Sequence, residues 1–86
     1  MGFNYSKLKG KIVEVFGTQT AFAQEMGWSE RTLSLKLNNK RFWKQPEIAK
    51  ARELLLIGEE EIPVYFFTPK VQHIEQMNEI QIENII

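Results

Sequence analysis

Residues 19–39, QTAFAQEMGWSERTLSLKLNN, have the pattern of two short amphipathic helices joined through a glycine. Gly27 stands at the end of the first helix, where a left-handed backbone costs glycine little. Ser29 predicts the N-cap of the second helix, in which Leu33 and Leu37 lie four residues apart on one face. Such a pair is a common packing unit of helical proteins, and it is also how many proteins reach into DNA.

The residues before this pair predict another helix, from about Tyr5 to Phe16, with Asn4 as its cap and Gly17 as its stop. Its apolar face is formed by Tyr5, Leu8, Ile12 and Val15. Thr18 is the expected cap of the helix that follows. Three helices therefore fill the chain up to about residue 38.

Helical patterns also follow the pair. Pro46 suits the first turn of a fourth helix, which is expected to run to about Leu56 and to stop before Gly58. Its core face is predicted to consist of Ile48, Ala51, Leu54 and Leu55. The acidic residues 59–61 favour the start of a fifth helix, whose regularity Pro63 limits.

The 86 residues are expected to form one domain, all-α and compact, with four to five helices over residues 1–68 and a C-terminal tail over 69–86. No cysteine is present, and one histidine, His73, cannot build a metal cluster, so no cofactor is expected. No stretch approaches transmembrane length, and the N-terminus lacks the apolar core of a signal peptide. A cytoplasmic location is therefore expected.

The tail admits more than one conformation. Val71, Ile74, Met77 and Ile80 lie at near-helical spacing, whereas Ile80 and Ile82 alternate as in a strand. The apolar side chains would be covered by a second copy of the chain or by the chain's own core, or the end would be frayed. The sequence leaves these three alternatives open.

The net charge of zero conceals an uneven distribution. Residues 1–57 contain ten Lys or Arg and five acids, whereas residues 58–86 contain one Lys and six Glu. The first part therefore carries +5 and the second −5. A basic N-terminal part suits a polyanionic partner, although solvated helix faces that happen to differ would give the same counts.

Residues 19–38 resemble the helix-turn-helix of phage Cro and repressor proteins, the lambda-repressor-like DNA-binding family. The positions that carry the resemblance are Gln19 at the helix start, the small Ala23, Gly27 in the turn, and the apolar Trp28 and Leu33. FGTQTAFA before the motif and SERTLSLKLNNK and YFF after it extend the resemblance over about residues 3–72. The resemblance implies a sequence-specific transcriptional regulator of phage or prophage type.

The sequence departs from the family pattern at three places. Asn38-Asn39 replaces the usual Asn-Gly, and asparagine still tolerates the left-handed region that this turn requires. Lys36 occupies a commonly apolar position, so that Leu37 would take over its buried role. Pro63 is unusual within the fifth helix.

The resemblance places the second helix of the motif, about residues 29–38, in the major groove. The expected base contacts are then Ser29, Glu30, Arg31, Ser34, Leu35 and Asn38. Arg31 has the chemistry to bind guanine O6 and N7, and Glu30 to accept from a cytosine amino group. Leu35 would contact a thymine methyl group, or it is a partly buried residue or simply an apolar side chain at the surface.

Contacts to the DNA backbone are expected at both ends of the motif. The residues are Thr18, Gln19 and Thr20 at the first helix, and Lys36, Asn39, Lys40, Arg41 and Lys44 after the second. The second group is alternatively a solvated loop, whose aromatic residues Phe42 and Trp43 are predicted to cover the core. One helix makes few base contacts, so a homodimer on a palindromic operator is expected, with half-sites about 34 Å apart. VYFFT and the tail would form its interface.

Two other classes of function are alternatives to DNA binding. An enzyme is not expected, because no nucleophile, base and orienting group are grouped in any catalytic motif. A protein-binding adaptor, anti-repressor or antitoxin on the same helical scaffold remains an alternative, because a fold does not fix a function. No small-molecule ligand and no membrane contact are indicated.

Overall fold

The computed structural model describes residues 2–70, which form five α-helices. The helices are α1 (Ser6–Phe16), α2 (Gln19–Met26), α3 (Glu30–Leu37), α4 (Gln45–Leu54) and α5 (Ile62–Phe66). A 3-10 turn, Glu59–Glu61, leads directly into α5. The strand pairing found within residues 2–70 is an isolated bridge between Phe3 and Pro69. The predicted all-α fold is confirmed.

Two of the three caps expected from the sequence form in the structure, at Thr18 and Ser29, whereas the N-cap of α1 is Tyr5 and not Asn4. The Asn4 side chain accepts a hydrogen bond from the Ser6 amide at 2.8 Å. Thr18 and Ser29 each accept the amide three residues further on, both at 3.1 Å. Gly27 has φ of 81°, and a Cβ there would meet nothing within 4 Å. Backbone conformation, and not space, is therefore what requires glycine at this turn.

The core lies between the five helices, and α5 contributes the fully buried Phe66 to it. Its buried apolar residues are Tyr5, Leu8, Ile12, Phe22, Ala23, Met26, Leu33, Leu37, Ile48, Ala51, Leu55, Ile57 and Phe66. Val15, expected on the core face of α1, is 38% exposed instead. Leu8, Ile12 and Phe16 follow one another at four-residue spacing, and Phe16 packs edge-on against Phe22 at 5.4 Å. Because these three side chains form the core face of α1, Val15 lies at the edge of that face and not within it.

Two of the three prolines lie at the start of helices. Pro46 lies in the first turn of α4, and Pro63 in the first turn of α5, where a missing amide hydrogen costs nothing. Pro63 therefore fits the short α5 without distorting it. Leu56, two residues after α4, has φ of 60°, so a leucine and not Gly58 takes the left-handed position there.

Both ends of the described chain meet beside the C-terminal end of α3. The amide of Asn4 donates to Thr68 O at 2.7 Å, and the amide of Lys70 donates to Gly2 O at 3.0 Å. Residues 71–86 follow from this point. The predictions about a helix, a strand or a dimer contact in the tail fall on these residues and lie outside the described part of the chain.

Candidate functional site

Helices α2 and α3 form the helix-turn-helix that the sequence predicts. The Trp28 amide donates to Ala23 O at 2.8 Å across the Gly27 turn, which fixes how α3 leaves α2. The inner side of α3 buries Leu33 and Leu37 in the core. The opposite side of α3 is therefore directed away from the rest of the domain.

The outward residues of α3 are Glu30, Arg31, Ser34, Leu35 and Asn38, and we call them the α3 face. All are exposed except Leu35, which is half-buried. Within residues 2–70, the Glu30 and Arg31 side chains take part in no ion pair and no hydrogen bond. Their charged ends are thus available to a partner.

Other polar groups on and beside the α3 face have local partners. Ser29 Oγ both accepts from the Thr32 amide and donates to Thr32 Oγ1, each at 3.1 Å. Asn38 Nδ2 donates to Ser34 O at 2.8 Å and to Ser34 Oγ at 3.3 Å. Ser29 is consequently committed to capping α3, whereas Ser34 keeps its hydroxyl hydrogen and Asn38 its side-chain oxygen.

Leu35 lies close to the point where the chain leaves α3. The amides of Lys40 and Arg41 both donate to Leu35 O, at 2.8 Å and 3.2 Å. These hydrogen bonds hold the start of the loop at the end of the helix, and Leu35 itself is half-buried. The surface that Leu35 offers to a thymine methyl group is smaller than the helix pattern alone indicates.

Residues 40–44, which we call the basic loop, follow this bend. Lys40, Arg41 and Lys44 are exposed, and Phe42 is 89% exposed. The loop borders an open groove of about 480 Å³ whose other side is formed by Trp28, Thr32, Lys36 and Glu47. The prediction that Phe42 covers the core is wrong.

Trp43 behaves as predicted and packs on the core. Its ring lies 5.5 Å from that of Trp28 and 5.1 Å from that of Phe66, in edge-to-face arrangements. Because Trp43 is anchored, the extended backbone around it directs the side chain of the preceding residue, Phe42, to the opposite side. The pattern of the sequence does not distinguish which of two adjacent aromatic residues is anchored.

Lys36 is not available to a DNA phosphate, contrary to the prediction. It is 5% exposed, and its ammonium donates to Phe42 O and to Glu47 Oε1, both at 2.9 Å. The same group lies 5.1 Å from the centre of the Trp28 ring. The stem of Lys36 thus occupies the apolar position while its charge is neutralised inside. Leu37 is buried as well, so both residues fill the core side.

Glu47 links this lysine to the start of α4. Its Oε1 also accepts the Lys44 amide at 2.9 Å. Burial by itself would raise the pKa of the Glu47 carboxyl. The hydrogen bonds from Lys44 and Lys36 and their positive charges outweigh burial, so the pKa lies below its usual value. Glu47 therefore stays ionised and neutralises Lys36.

Asn39 is likewise committed to the fold and not to a phosphate. It has φ of 64°, as expected for an asparagine in the left-handed region. Its Oδ1 accepts the Phe3 amide and its Nδ2 donates to Phe3 O, both at 2.9 Å. This pair of hydrogen bonds ties the N-terminal segment to the end of α3.

The residues predicted to contact the backbone at α2 are in three different environments. Thr18 is exposed but its Oγ1 caps α2, Gln19 is half-buried, and Thr20 is exposed. Of the eight residues predicted to contact the DNA backbone, Lys36 is the one that is buried. Asn39 is exposed, but its side-chain polar atoms are bound to Phe3.

These features define a small helical protein with a helix-turn-helix and a cationic loop beside it. Residues 1–69 match the family described as "Protein of unknown function (DUF739)", and the chain belongs to that family. No curated protein matches the sequence. The matching family is not that of Cro or lambda repressor, so membership of the latter stays a prediction.

A solved structure is similar to the chain over most of its length. It is the solution structure of the modulator of repression (MOR) of the temperate bacteriophage TP901-1 from Lactococcus lactis. The two chains are 54% identical with a TM-score of 0.70, over 84% of this chain and 97% of the other. This chain is therefore similar to a phage regulator. Within residues 2–70, no helix is long and apolar enough to cross a membrane.

Proposed function

We propose that the protein regulates phage repression by binding duplex DNA with the α3 face, as a homodimer on a palindromic operator. The observation that carries this proposal is the exposed Arg31 on α3, followed along the chain by three further exposed cations of the basic loop. None of the four is paired with an acid within residues 2–70. Cations placed beside an exposed helix are what phosphate and base-edge contacts require.

Each group has a role in this proposal. Arg31 binds guanine O6 and N7, and Glu30 accepts from a cytosine amino group. Ser34 and Asn38 contribute their remaining hydrogen-bonding atoms on the same face. The basic loop contacts phosphates on one side, and Thr20 and Gln19 do so at the N-terminus of α2, where the helix dipole favours an anion.

Selection of bound duplexes from a random pool tests this proposal. A motif with two-fold symmetry is expected, and binding should weaken steeply as salt rises. Arg31→Ala should cost about 1–3 kcal/mol at the preferred site and relax the preference at one base position. Lys50→Ala, an exposed cation of α4, is the matched control. If Arg31→Ala lowers affinity without changing the preference, Arg31 does not read a base.

A protein-binding adaptor is the second candidate, and two observations favour it. Phe42 is the most exposed of the large apolar side chains in residues 2–70. The similar phage protein is named a modulator of repression, which suggests that it acts on another regulator. Exposed aromatic residues are enriched in protein–protein interfaces relative to the rest of the surface.

The two candidates differ in their response to salt and to substitution. A contact centred on Phe42 with a protein of the phage repression machinery should depend weakly on salt and should be lost in Phe42→Ser. DNA binding should instead be sensitive to Lys40→Ala, which is expected to weaken binding to all duplexes alike. Gel filtration of the chain with the repressor of the same phage, at two salt concentrations, distinguishes these outcomes.

A further inference from the structure

The last residues of the chain extend beyond the part that its family shares. The family match ends at residue 69. Residues 71–86, which we call the acidic segment, contain Glu75, Glu79 and Glu83 and no Lys or Arg. The segment therefore has a side-chain charge of −3 and carries apolar residues, mostly isoleucine, between its acids.

The acidic segment begins next to the end of α3. Its predecessor Lys70 donates its amide to Gly2 O and lines a shallow groove together with Asn38 and Asn39. Asn39 is followed immediately by the basic loop. Lys70, the residue before the acidic segment, thus lines the same groove as Asn39, the residue before the basic loop.

The basic loop has the complementary chemistry. Lys40, Arg41 and Lys44 supply three positive charges, and none of them is in an ion pair within residues 2–70. The nearby carboxylate, Glu47, is already occupied by Lys36 at 2.9 Å. Phe42 adds an exposed apolar surface in the middle of these charges. Three cations around one phenylalanine match three glutamates interspersed with isoleucines.

The length of the acidic segment is sufficient for this contact. Its 16 residues span up to about 50 Å when extended, at roughly 3.3 Å per residue. A short tether also holds the two surfaces together at an effective concentration of about millimolar. Ion pairs that are weak between separate molecules are therefore adequate within one chain.

We propose that residues 71–86 dock on the basic loop of the same molecule and compete there with the polyanionic partner. The docking itself follows from the position and charge of the two segments, whereas the competition rests on the proposed DNA binding. Salt weakens the docking, because the charges involved are at the surface and the screening length falls from about 30 Å at 0.01 M to about 10 Å at 0.1 M.

Amide chemical shifts of the full chain test the docking. Glu75→Gln/Glu79→Gln/Glu83→Gln should shift the resonances of residues 40–44 more than those of any other described segment. Raising salt from 20 to 500 mM should shift the same resonances in the unsubstituted chain. The control Glu25→Gln/Glu53→Gln/Glu60→Gln removes the same charge from exposed sites without a hydrogen bond or ion pair in residues 2–70, and it should leave residues 40–44 unchanged.

A double substitution in the loop identifies the docking partner. In the Lys40→Gln/Lys44→Gln background, the three glutamate substitutions in the acidic segment should no longer shift the resonances of residues 40–44. The reason is that the interaction between the acidic segment and the basic loop has already been removed. The proposal would be overturned if the three glutamate substitutions caused no shifts in residues 40–44, or if these shifts persisted in the Lys40→Gln/Lys44→Gln background. Shifts that grow with protein concentration would also overturn it. The last of these results would mean that the acidic segment docks on a second copy.

Affinity for a 20-bp duplex of random sequence tests the competition. At 50 mM salt, Glu75→Gln/Glu79→Gln/Glu83→Gln should bind the duplex about 3–10-fold more tightly than the control Glu25→Gln/Glu53→Gln/Glu60→Gln. The ratio of the two affinities should fall towards one at 300 mM. Equal affinities of the two variants would show that the segment does not compete. If no variant binds duplex, the proposed DNA binding fails, while the chemical shifts still decide whether the docking occurs.

Discussion

The last turn of α3 and the loop that joins it to α4 have an inner and an outer side, and similar residues have opposite environments on the two sides. On the inner side, Lys36 is buried against the Glu47 carboxylate and Trp43 packs between two aromatic rings. On the outer side, Lys40 is exposed and Phe42 is 89% exposed. One lysine and one aromatic residue therefore belong to each side.

The difference shows what determines the environment of each side chain. Lys36 is buried because a carboxylate and a carbonyl oxygen are both within 2.9 Å of its ammonium. Lys40 has no comparable pair of acceptors among residues 2–70. The inner side therefore stabilises the domain, and the outer side is free to bind. Substitutions on the inner side should change the free energy of unfolding, and substitutions on the outer side should change binding.

The largest effect on stability is expected for Trp43→Ala. Removing the ring leaves a cavity between Trp28 and Phe66, and the free energy of unfolding should fall by about 3 kcal/mol. Urea denaturation followed by circular dichroism measures this change. Trp43→Phe is the control and should cost less than about 1 kcal/mol, since the buried indole nitrogen has no hydrogen-bond partner within residues 2–70. A small effect of Trp43→Ala would contradict the assignment of Trp43 to the inner side.

Glu47→Ala should have the next largest effect on stability. It leaves the Lys36 ammonium buried with only the Phe42 carbonyl oxygen, and it removes the acceptor of the Lys44 amide. Breaking a buried ion pair costs about 3–5 kcal/mol. The Glu47 side chain is 22% exposed, and water screens part of the interaction. The free energy of unfolding should therefore fall by less than that, by about 2 kcal/mol. Glu53→Ala on the exposed side of α4 is the control, with a change within about 0.5 kcal/mol. Equal losses in the two variants would show that the pair contributes nothing.

Acid should remove part of the same stabilisation. The pKa of Glu47 is lower in the folded chain than the ordinary value of 4.5, so folding favours the ionised form. This contribution is complete above about pH 4.5 and disappears as the pH falls through the folded pKa. The difference in unfolding free energy between the unsubstituted chain and Glu47→Ala should therefore narrow from pH 6 to pH 3, as measured by urea denaturation at each pH. A constant difference would mean that the charge of Glu47 is not what stabilises the inner side.

The sequence predicts those features that depend on neighbours along the chain. The caps at Thr18 and Ser29 and the turn at Gly27 each depend on residues no more than three positions away, and all three are confirmed. Helix order and the exposed position of Arg31 follow from the same local periodicity. These features account for most of the fold and for the location of the α3 face.

Features that depend on distant residues were not predictable in the same way. The local pattern predicts a phosphate contact for Lys36, because its partner Glu47 is eleven positions away. It predicts the same for Asn39, whose side chain is bound to Phe3, 36 positions away. It also predicts core positions for Val15 and Phe42, because nothing local reveals that a neighbouring side chain occupies the space. A polar residue at an otherwise apolar position was the one indication that Lys36 has an internal partner.

The smallest effect on stability and the most informative one for binding are expected for Phe42→Ser. The side chain is almost fully exposed, so the free energy of unfolding should change by less than about 0.5 kcal/mol, as measured by urea denaturation. If a protein is the partner, the same substitution should weaken the complex by about 2 kcal/mol or more, measured by isothermal titration calorimetry. If DNA is the partner, Phe42→Ser should matter less than Lys40→Gln. A large loss of stability would place Phe42 on the inner side, because only a packed ring leaves a cavity when it is removed. The distinction between an inner side that stabilises the domain and an outer side that binds a partner would then no longer hold.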